Sequence, residues 1–226
     1  MLLFLGDKMK KMIFTILVVL ITFFIYFFNR SEKTYYVSLG DYLSYGINNL
    51  NNVNNSYSNN LKEYYKENLN NYVNYSTYDD YRVMDLINDI NYNKSVIYSD
   101  KEYKLQNLLI KANLITLSMG MNDLIYKSKI ETNLYEYTDE LLSDIEKLLI
   151  LIRKYNKDEI YLLGFYNVIG NDSIIDYANK RLEIICRKNK INFVDITLLK
   201  NYIISGYYPT NEGYTYITNQ ILKFTN

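Results

Sequence analysis

The sequence predicts an α/β fold, a three-layer α/β/α sandwich in which helices cover both faces of a mostly parallel sheet. From residue 34 onward, short apolar segments typical of buried strands alternate with longer segments whose apolar residues recur at helical spacing. The chain has 226 residues, 49% of them hydrophobic, which suits one domain with a core and an appendage. Since no internal repeat is visible, we predict a single domain over residues 34–226.

An apolar segment precedes this domain. Met12–Phe28 is an uninterrupted run of 17 uncharged residues. A membrane-spanning helix needs about 20 residues, within a range of about 17–25, whereas the apolar core of a signal peptide has about 7–15. Lys8, Lys10 and Lys11 precede the run, which predicts a cytoplasmic N-terminus and an extracytoplasmic domain. We therefore predict that residues 1–33 are a cytoplasmic stub, a membrane anchor through residues 12–28 and a tether, in a single-pass protein of the cell membrane. A cleaved signal peptide is the alternative.

The strands and helices of the domain follow from periodicity and from breaking residues. The first strand, Thr34–Leu39, ends at Gly40, and an Asn/Ser-rich loop covers residues 48–60. Later strands are predicted at Tyr72–Tyr75, Asn113–Met119, Glu159–Leu163 and Ile191–Val194. Helices are predicted at Leu61–Leu69, Tyr81–Ile90, Glu102–Ala112, Leu134–Lys154, Ser173–Arg187 and Asn211–Lys223. In folds of this class, the functional site lies in the crevice beyond the carboxyl ends of the strands.

Composition excludes some kinds of function. The chain has 25 basic and 25 acidic residues, and residues 34–226 alone have 20 basic and 23 acidic residues. Such a domain has no overall positive field to attract nucleic acid, so we predict no nucleic-acid partner. The chain has no histidine, the commonest general base near neutral pH and the commonest transition-metal ligand. We predict no cofactor and no metal site, with a hard-cation site made of Asp41, Asp80 and Asp123 as the alternative.

Three short blocks fall at predicted strand ends or in the loop before the last helix. The first is Leu39-Gly40-Asp41-Tyr42-Leu43-Ser44-Tyr45-Gly46, the second is Leu117-Ser118-Met119-Gly120-Met121-Asn122-Asp123-Leu124, and the third is Tyr208-Pro209-Thr210-Asn211-Glu212-Gly213-Tyr214. In this order, they resemble the Gly-Asp-Ser-Leu, Gly-x-Asn-Asp and His-Pro-Asn-x-x-Gly-Tyr blocks of the SGNH (GDSL) hydrolases. The resemblance covers nearly the whole domain and implies their flavodoxin-like arrangement of strands and helices.

The resemblance also implies which positions correspond to catalytic residues. Carried over by position, the nucleophilic serine is Tyr42, the histidine base is Tyr208 and the aspartate three residues before it is Ser205. The oxyanion asparagine is retained as Asn122, and Asp80 takes the position of the oxyanion glycine. The chain thus resembles a degenerate member of the family in which all three positions of the triad are replaced.

These replacements oppose the reaction of the family. A phenol has a pKa of about 10, and no imidazole is present to accept its proton. In a serine protease, losing single triad members costs a factor of about 10⁴ to 10⁶ in rate. A carboxylate at position 80 opposes the negative charge that develops in an oxyanion hole. Asn122, in turn, has the alternative role of stitching the loop after Gly120 to the backbone.

The sequence therefore predicts a pseudoenzyme that acts as a binding or interaction module at the cell envelope. Tyr42, Tyr207 and Tyr208 either line an aromatic cleft for a glycan, lipid or peptide ligand, or fill the former pocket. The alternative is a divergent esterase or acyl-hydrolase of lipid or cell-wall acyl esters with an unconventional nucleophile, for which Ser44 is the candidate. A third possibility is a structural membrane protein whose single span is the main functional part.

Overall fold

The computed structural model describes residues 6–28, 33–48, 50, 52–53, 55–77, 80–130 and 133–225. Some predicted features lie partly outside the described residues: the cytoplasmic stub (residues 1–5), the tether (29–32), the polar loop (49, 51 and 54) and the segment before Asp80 (78–79). The chain divides into two compact units, Met1–Lys33 and Thr34–Asn226.

The first unit contains one helix, α1, over Asp7–Phe28. Across the described ranges, no helix combines the length and the apolar character needed to cross a membrane. The membrane anchor over residues 12–28 therefore stays a prediction.

A five-stranded parallel sheet forms the centre of the second unit. Its strands are β1 (Thr34–Gly40), β2 (Leu69–Ser76), β5 (Leu114–Ser118), β6 (Glu159–Leu163) and β7 (Asn192–Val194), in the spatial order β2-β1-β5-β6-β7. All five residues of β5 are buried, as expected for a central strand covered on both faces. Because all the strands run the same way, their carboxyl ends lie at one edge of the sheet.

Helices cover both faces of this sheet. The helices are α2 (Tyr42–Tyr45), α3 (Tyr57–Tyr65), α4 (Val83–Asn91), α5 (Leu105–Lys111), α6 (Met121–Lys127), α7 (Leu134–Tyr155), α8 (Asp172–Lys188) and α9 (Asn211–Leu222). Helix α7 packs against α4, α5, α6 and α8, while α3 packs against α9. The predicted three-layer architecture with a mostly parallel sheet is confirmed.

The longest helix of the domain illustrates how the core forms. The buried side chains of α7 recur at three- and four-residue spacing, so they lie on one face of the helix. They are Thr138, Leu141, Leu142, Ile145, Leu148, Leu149 and Ile152. Burying a leucine or isoleucine side chain contributes about 1.5–3 kcal/mol, so this stripe fixes α7 on the sheet.

The prediction was wrong where local turns determine the structure. The segment predicted to be helical over Glu102–Ala112 begins with a strand, β4 (Lys101–Lys104), that pairs antiparallel with β3 (Ser95–Tyr98). The turn between them uses Ser99 and Asp100, both with positive φ. Only Leu105–Lys111 forms the predicted helix, α5.

Two further helix boundaries differ from the prediction. Helix α3 begins at Tyr57, inside the predicted loop, because the Ser56 hydroxyl accepts a hydrogen bond of 3.0 Å from the Asn59 N–H. The predicted helix over Leu61–Leu69 ends early, since Lys66–Asn68 forms a 3₁₀ turn and β2 starts at Leu69. A second 3₁₀ helix covers Thr197–Tyr202, where no element was predicted.

Candidate functional site

The three sequence blocks meet beyond the carboxyl ends of β1 and β5. The Asp41 N–H donates to the Ser118 carbonyl at 2.9 Å, which joins the first block to the second. The third block contacts the first through the rings of Tyr208 and Tyr42, and in α9 the Tyr214 hydroxyl donates at 2.6 Å to the carbonyl of Ile47, the residue that follows the first block. The structure therefore brings together segments that are separated by more than 150 residues in the sequence.

Tyr42, which the sequence resemblance matches to the nucleophile, begins α2. Its side chain is fully buried, and its hydroxyl lies 2.6 Å from the Tyr166 hydroxyl. Because Tyr166 donates to the Tyr207 carbonyl at 2.8 Å, Tyr42 is the donor in the contact between the two phenols. The rings of Tyr207 and Tyr208 lie 5.7 and 5.5 Å from the Tyr42 ring, centroid to centroid. We call Tyr42, Tyr166, Tyr207 and Tyr208 the tyrosine cluster.

The environment of the cluster keeps the buried phenols neutral. Burial, followed by the neighbouring Tyr166, raises the pKa of Tyr42 well above its usual value near 10. Burial likewise raises the pKa of Tyr166. Tyr42 is therefore a poor source of a phenolate.

Two of the three residues that the resemblance matches to the triad come into contact. Tyr208 is half-buried, and its ring meets the Tyr42 ring almost at a right angle (76°). Ser205 lies three residues earlier in the same loop and is exposed to solvent. The Tyr42–Tyr208 contact is an aromatic packing contact.

Ser44, the candidate for an unconventional nucleophile, is enclosed beneath the cluster. It is fully buried, and its hydroxyl donates to the Leu39 carbonyl at 2.9 Å. The same oxygen lies 2.6 Å from the Tyr57 hydroxyl and 2.8 Å from the Ser118 hydroxyl. A hydroxyl with these contacts holds α2 against β1 and β5, and no surface of Ser44 is open to a substrate.

Two buried carboxyl groups support the loops of the first two blocks. Asp41 accepts hydrogen bonds from the Leu43 N–H at 3.1 Å and from Ser118 at 2.8 Å, and Asp123 accepts one from the Val83 N–H at 3.4 Å. Burial raises the pKa of Asp41 to about 7 and that of Asp123 to about 6. Through these contacts, Asp41 and Asp123 hold the loops that follow β1 and β5.

Asn122 and Asp80, which the resemblance matches to the oxyanion asparagine and glycine, line a small cavity beside the tyrosine cluster. This cavity has a volume of about 220 Å³ and is lined by Asp80, Asn122, Ile125, Tyr126, Lys129 and Tyr207. The Asn122 side chain donates to the Tyr81 carbonyl at 3.0 Å. The predicted stitching contact of Asn122 is thus present, and it connects to the segment before α4.

Asp80 carries a paired charge in this cavity. The Arg82 guanidinium contacts both of its carboxylate oxygens, and the Arg82 Cζ lies over the Tyr126 ring, 3.9 Å from its centre. The pair is exposed on the Asp80 side, so its contribution to stability is small. No group of three or more His, Cys, Asp or Glu side chains in the described part of the chain is placed to hold a metal ion, so Asp41, Asp80 and Asp123 do not form the alternative cation site.

Tyr166 is the site residue that the sequence reasoning missed. It follows β6, a strand whose carboxyl end lies at the same edge as those of β1 and β5. Asn179 of α8 holds this loop in place, because its side chain accepts from the Phe165 N–H at 2.7 Å and donates to the Phe165 carbonyl at 2.9 Å. The strand-end position was the available signal, but no motif distinguishes this tyrosine from the 26 others in the chain.

Comparison with known proteins identifies the fold. No protein-family model matches the chain, and no curated protein matches it. Solved structures do: a lipase, Lip_vut3, from a goat rumen metagenome has a TM-score of 0.66 at 18% identity, over 83% of this chain and 95% of the lipase. The acetylxylan esterase Axe2 of Geobacillus stearothermophilus has a TM-score of 0.61 at 16% identity, over 85% of this chain and 93% of the esterase.

A third similar structure carries the name of the resemblance seen in the sequence. It is a putative lipolytic protein of the G-D-S-L family from Desulfitobacterium hafniense DCB-2, with a TM-score of 0.60 at 14% identity, over 83% of this chain and 97% of that protein. Identities this low establish the fold and leave the reaction open. The chain therefore has the fold of the SGNH (GDSL) hydrolases.

Proposed function

We propose that this protein is a membrane-anchored, extracytoplasmic SGNH-hydrolase-like pseudoenzyme that acts as a binding or interaction module at the cell envelope. The observation that carries the proposal is the burial of Tyr42 at the nucleophile-equivalent position. Its phenol donates to Tyr166 and is covered by Tyr207 and Tyr208. With no histidine in the chain, no imidazole is present to accept a proton at this position.

The contacts of the candidate nucleophiles support a non-hydrolytic role. Ser44 is buried and hydrogen-bonded beneath the cluster, so the divergent esterase would need the loop around α2 to open. Asp80 lines the adjoining cavity with Asn122, and its carboxylate, which is paired with Arg82, has no N–H or O–H to donate to an oxyanion there.

The ligand of this module would bind beside the tyrosine cluster, in the cavity lined by Asn122, Tyr126 and Tyr207. Aromatic faces next to amide and charged groups suit a glycan, lipid or peptide segment. At about 220 Å³, the cavity admits one small group of such a ligand, for example a single sugar substituent, with the remainder lying on the surface.

The membrane location rests on the sequence of the first unit. Residues 12–28 are uncharged and continue the helix that begins at Asp7, and lysines precede them. A helix of this kind orients with its basic end in the cytoplasm, which puts residues 34–226 outside.

Hydrolysis assays on the full chain in detergent test the proposal. We expect no turnover of p-nitrophenyl acetate or acetylated xylo-oligosaccharides above the buffer rate. Tyr42→Ser should remain inactive too, because the base-equivalent position is Tyr208. Turnover that survives Tyr42→Phe but disappears in Ser44→Ala would identify Ser44 as the nucleophile and establish the esterase alternative.

A further inference from the structure

A groove rich in basic side chains lies at the edge of the sheet opposite the tyrosine cluster. Its volume is about 940 Å³, and it lies between the C-terminal ends of α7 and α8 and the starts of β6 and β7. We call it the basic groove. Its cationic residues are Lys147, Arg153, Lys154, Lys157, Lys188 and Lys190, against two acidic residues, Asp158 and Glu159.

The basic groove has a net positive charge, whereas the domain as a whole has a net negative charge. Residues 34–226 have three more acidic than basic residues, yet the groove lining alone has four more basic than acidic ones. A concave surface lined by one sign of charge concentrates ions of the opposite sign. The partner that fits the basic groove is therefore anionic.

One of the basic residues, Arg153, has a structural role within the domain. Arg153 is half-buried and donates to the carbonyls of Asp158, Asn189 and Lys190, so it joins the two loops that form the groove floor. Basic residues at helix C-terminal ends also balance the helix dipole. Arg153 therefore shapes the groove.

The exposed lysines are the groups left to contact a partner. Lys147 pairs with Asp144 and Lys188 with Glu146 on the wall of the groove. Lys154, Lys157 and Lys190 are exposed, and none of the ion pairs found within the described ranges includes them. Their ammonium groups can bind external anions without breaking an ion pair.

The chain connection between α1 and β1 indicates which anion is within reach of the groove. The register aligns Tyr36 of β1 with Leu114 of β5 and Leu114 with Glu159 of β6, so the groove lies at the sheet edge where Thr34 begins β1. Neighbouring strands are about 4.8 Å apart, which places the start of β6 about 10 Å from β1 across the sheet. Five residues separate Phe28 from Thr34, and a fully extended chain of this length spans about 20 Å.

We propose that the basic groove docks the domain on anionic lipid headgroups of the membrane in which α1 is anchored. This inference rests on the membrane anchor proposed above. A connection of five residues lets the sheet edge that carries the groove reach the headgroups, and phosphate-bearing headgroups attract juxtamembrane lysines within about one Debye length, about 8–10 Å at physiological salt. Exposed Ile150, also in the groove lining, adds an apolar contact at the same surface.

Lysine footprinting of the full chain in nanodiscs tests the proposal. The chain is reconstituted in discs of phosphatidylcholine alone or with about 30% phosphatidylglycerol, and lysine acetylation is followed by mass spectrometry. We expect acetylation of Lys154 and Lys190 to slow about fivefold or more in the anionic discs only, and the protection to disappear at about 0.5 M salt. Lys180 and Lys200 serve as internal references, since Lys200 follows β7 at the opposite edge.

Matched variants separate the groove from general charge. Lys154→Glu/Lys190→Glu should abolish the protection of Lys157, whereas Lys180→Glu/Lys200→Glu, with the same change in net charge, should retain it. Equal protection in both kinds of disc, no protection in either, or equal loss in both variants would overturn the proposal while the anchor stands. Protection in neutral discs on addition of soluble polyphosphate would instead assign the groove to a phosphate polymer. A chain that does not co-purify with either disc contradicts the anchor itself.

Discussion

At the scale of single residues, Asp41 and Asp123 dominate the response to pH. Burial raises the pKa of these carboxyl groups to about 7 and about 6, from 3.8. In the unfolded chain, both groups have ordinary pKa values near 3.9. Between about pH 4 and pH 7, the folded protein therefore binds more protons than the unfolded one, and its free energy of unfolding falls as the pH rises.

We expect the free energy of unfolding to be lower at pH 8 than at pH 5 by about 2–4 kcal/mol, from the 1.36 kcal/mol that each pKa unit represents. Because the chain has no histidine, few other groups titrate in this window. Asp41→Asn removes one of the two carboxyl groups and should reduce the difference by about half or more. Urea unfolding at both pH values measures it, with exposed Asp176→Asn as the control. An unchanged pH dependence in Asp41→Asn would show that Asp41 is ionised in the folded protein at both values.

The residues of the tyrosine cluster indicate how far the site could be predicted from the sequence. Tyr42 and Tyr208 meet as their blocks imply, because those blocks contain the backbone signals that set strand ends and helix starts. Tyr166 could not be predicted. Its position in the site depends on the pairing of β5 with β6 and on the contact of Asn179 with Phe165, and neither is encoded locally.

At the scale of elements, the close approach of β1 to β5 depends on Gly40. Gly40 has a φ of +143°, and a Cβ atom there would lie 2.1 Å from the Ser118 carbonyl oxygen. That contact adjoins the hydrogen bond from the Asp41 N–H to the same carbonyl. A side chain at position 40 would push apart the two strands that carry the first and second blocks.

We expect Gly40→Ala to destabilise the domain by about 3–5 kcal/mol, the sum of an unfavourable φ and a steric overlap with backbone. Gly170→Ala is the matched control, since Gly170 also has a positive φ of +75° but has no atom within 4 Å of an added Cβ. Its cost should be about 1 kcal/mol. Thermal unfolding of the two variants compares them, and equal losses would mean that only backbone conformation matters at position 40.

The elements that the sequence failed to predict are those fixed by turns. The turn of the β3–β4 hairpin depends on positive φ at Ser99 and Asp100. Glycine is the residue that adopts this conformation routinely, and neither turn position is a glycine, so the sequence contains no strong turn signal there. The helical spacing of Leu105, Leu108 and Leu109 led to a predicted helix that started too early and included residues of β4. By contrast, α7 was predicted to within a residue because its burial stripe repeats over six turns.

At the scale of the whole molecule, residues 34–226 hold the complete sheet and its covering helices. The strands and amphipathic helices were predictable because their apolar patterns record which faces are buried. The spatial order β2-β1-β5-β6-β7 is the flavodoxin-like order that the resemblance implied. The apolar patterns alone do not encode this order, since it depends on long-range pairing.

We expect residues 34–226 to unfold in one cooperative transition, with a midpoint within about 2 °C of that of the same domain in the full chain. Circular dichroism of both proteins in the same detergent measures the midpoints. A lower midpoint, or a broad transition in the truncated protein, would show that residues 1–33 stabilise the domain.

The hydroxyl groups beneath the tyrosine cluster have a further consequence, which concerns the number of protons they share. Ser44 gives its proton to the Leu39 carbonyl, and Tyr57 donates to Ser44. Ser118 has one proton for two short contacts, to Ser44 and to Asp41, both at 2.8 Å. A proton on Oδ1 of Asp41 would make Asp41 the donor to Ser118 and release the Ser118 proton for Ser44, whereas a proton on Oδ2, which has no hydrogen-bond partner among the described residues, would leave the Ser118 bond as it is. The position of one proton on Asp41 therefore decides whether its ionisation reorients the hydroxyl groups beneath the tyrosine cluster.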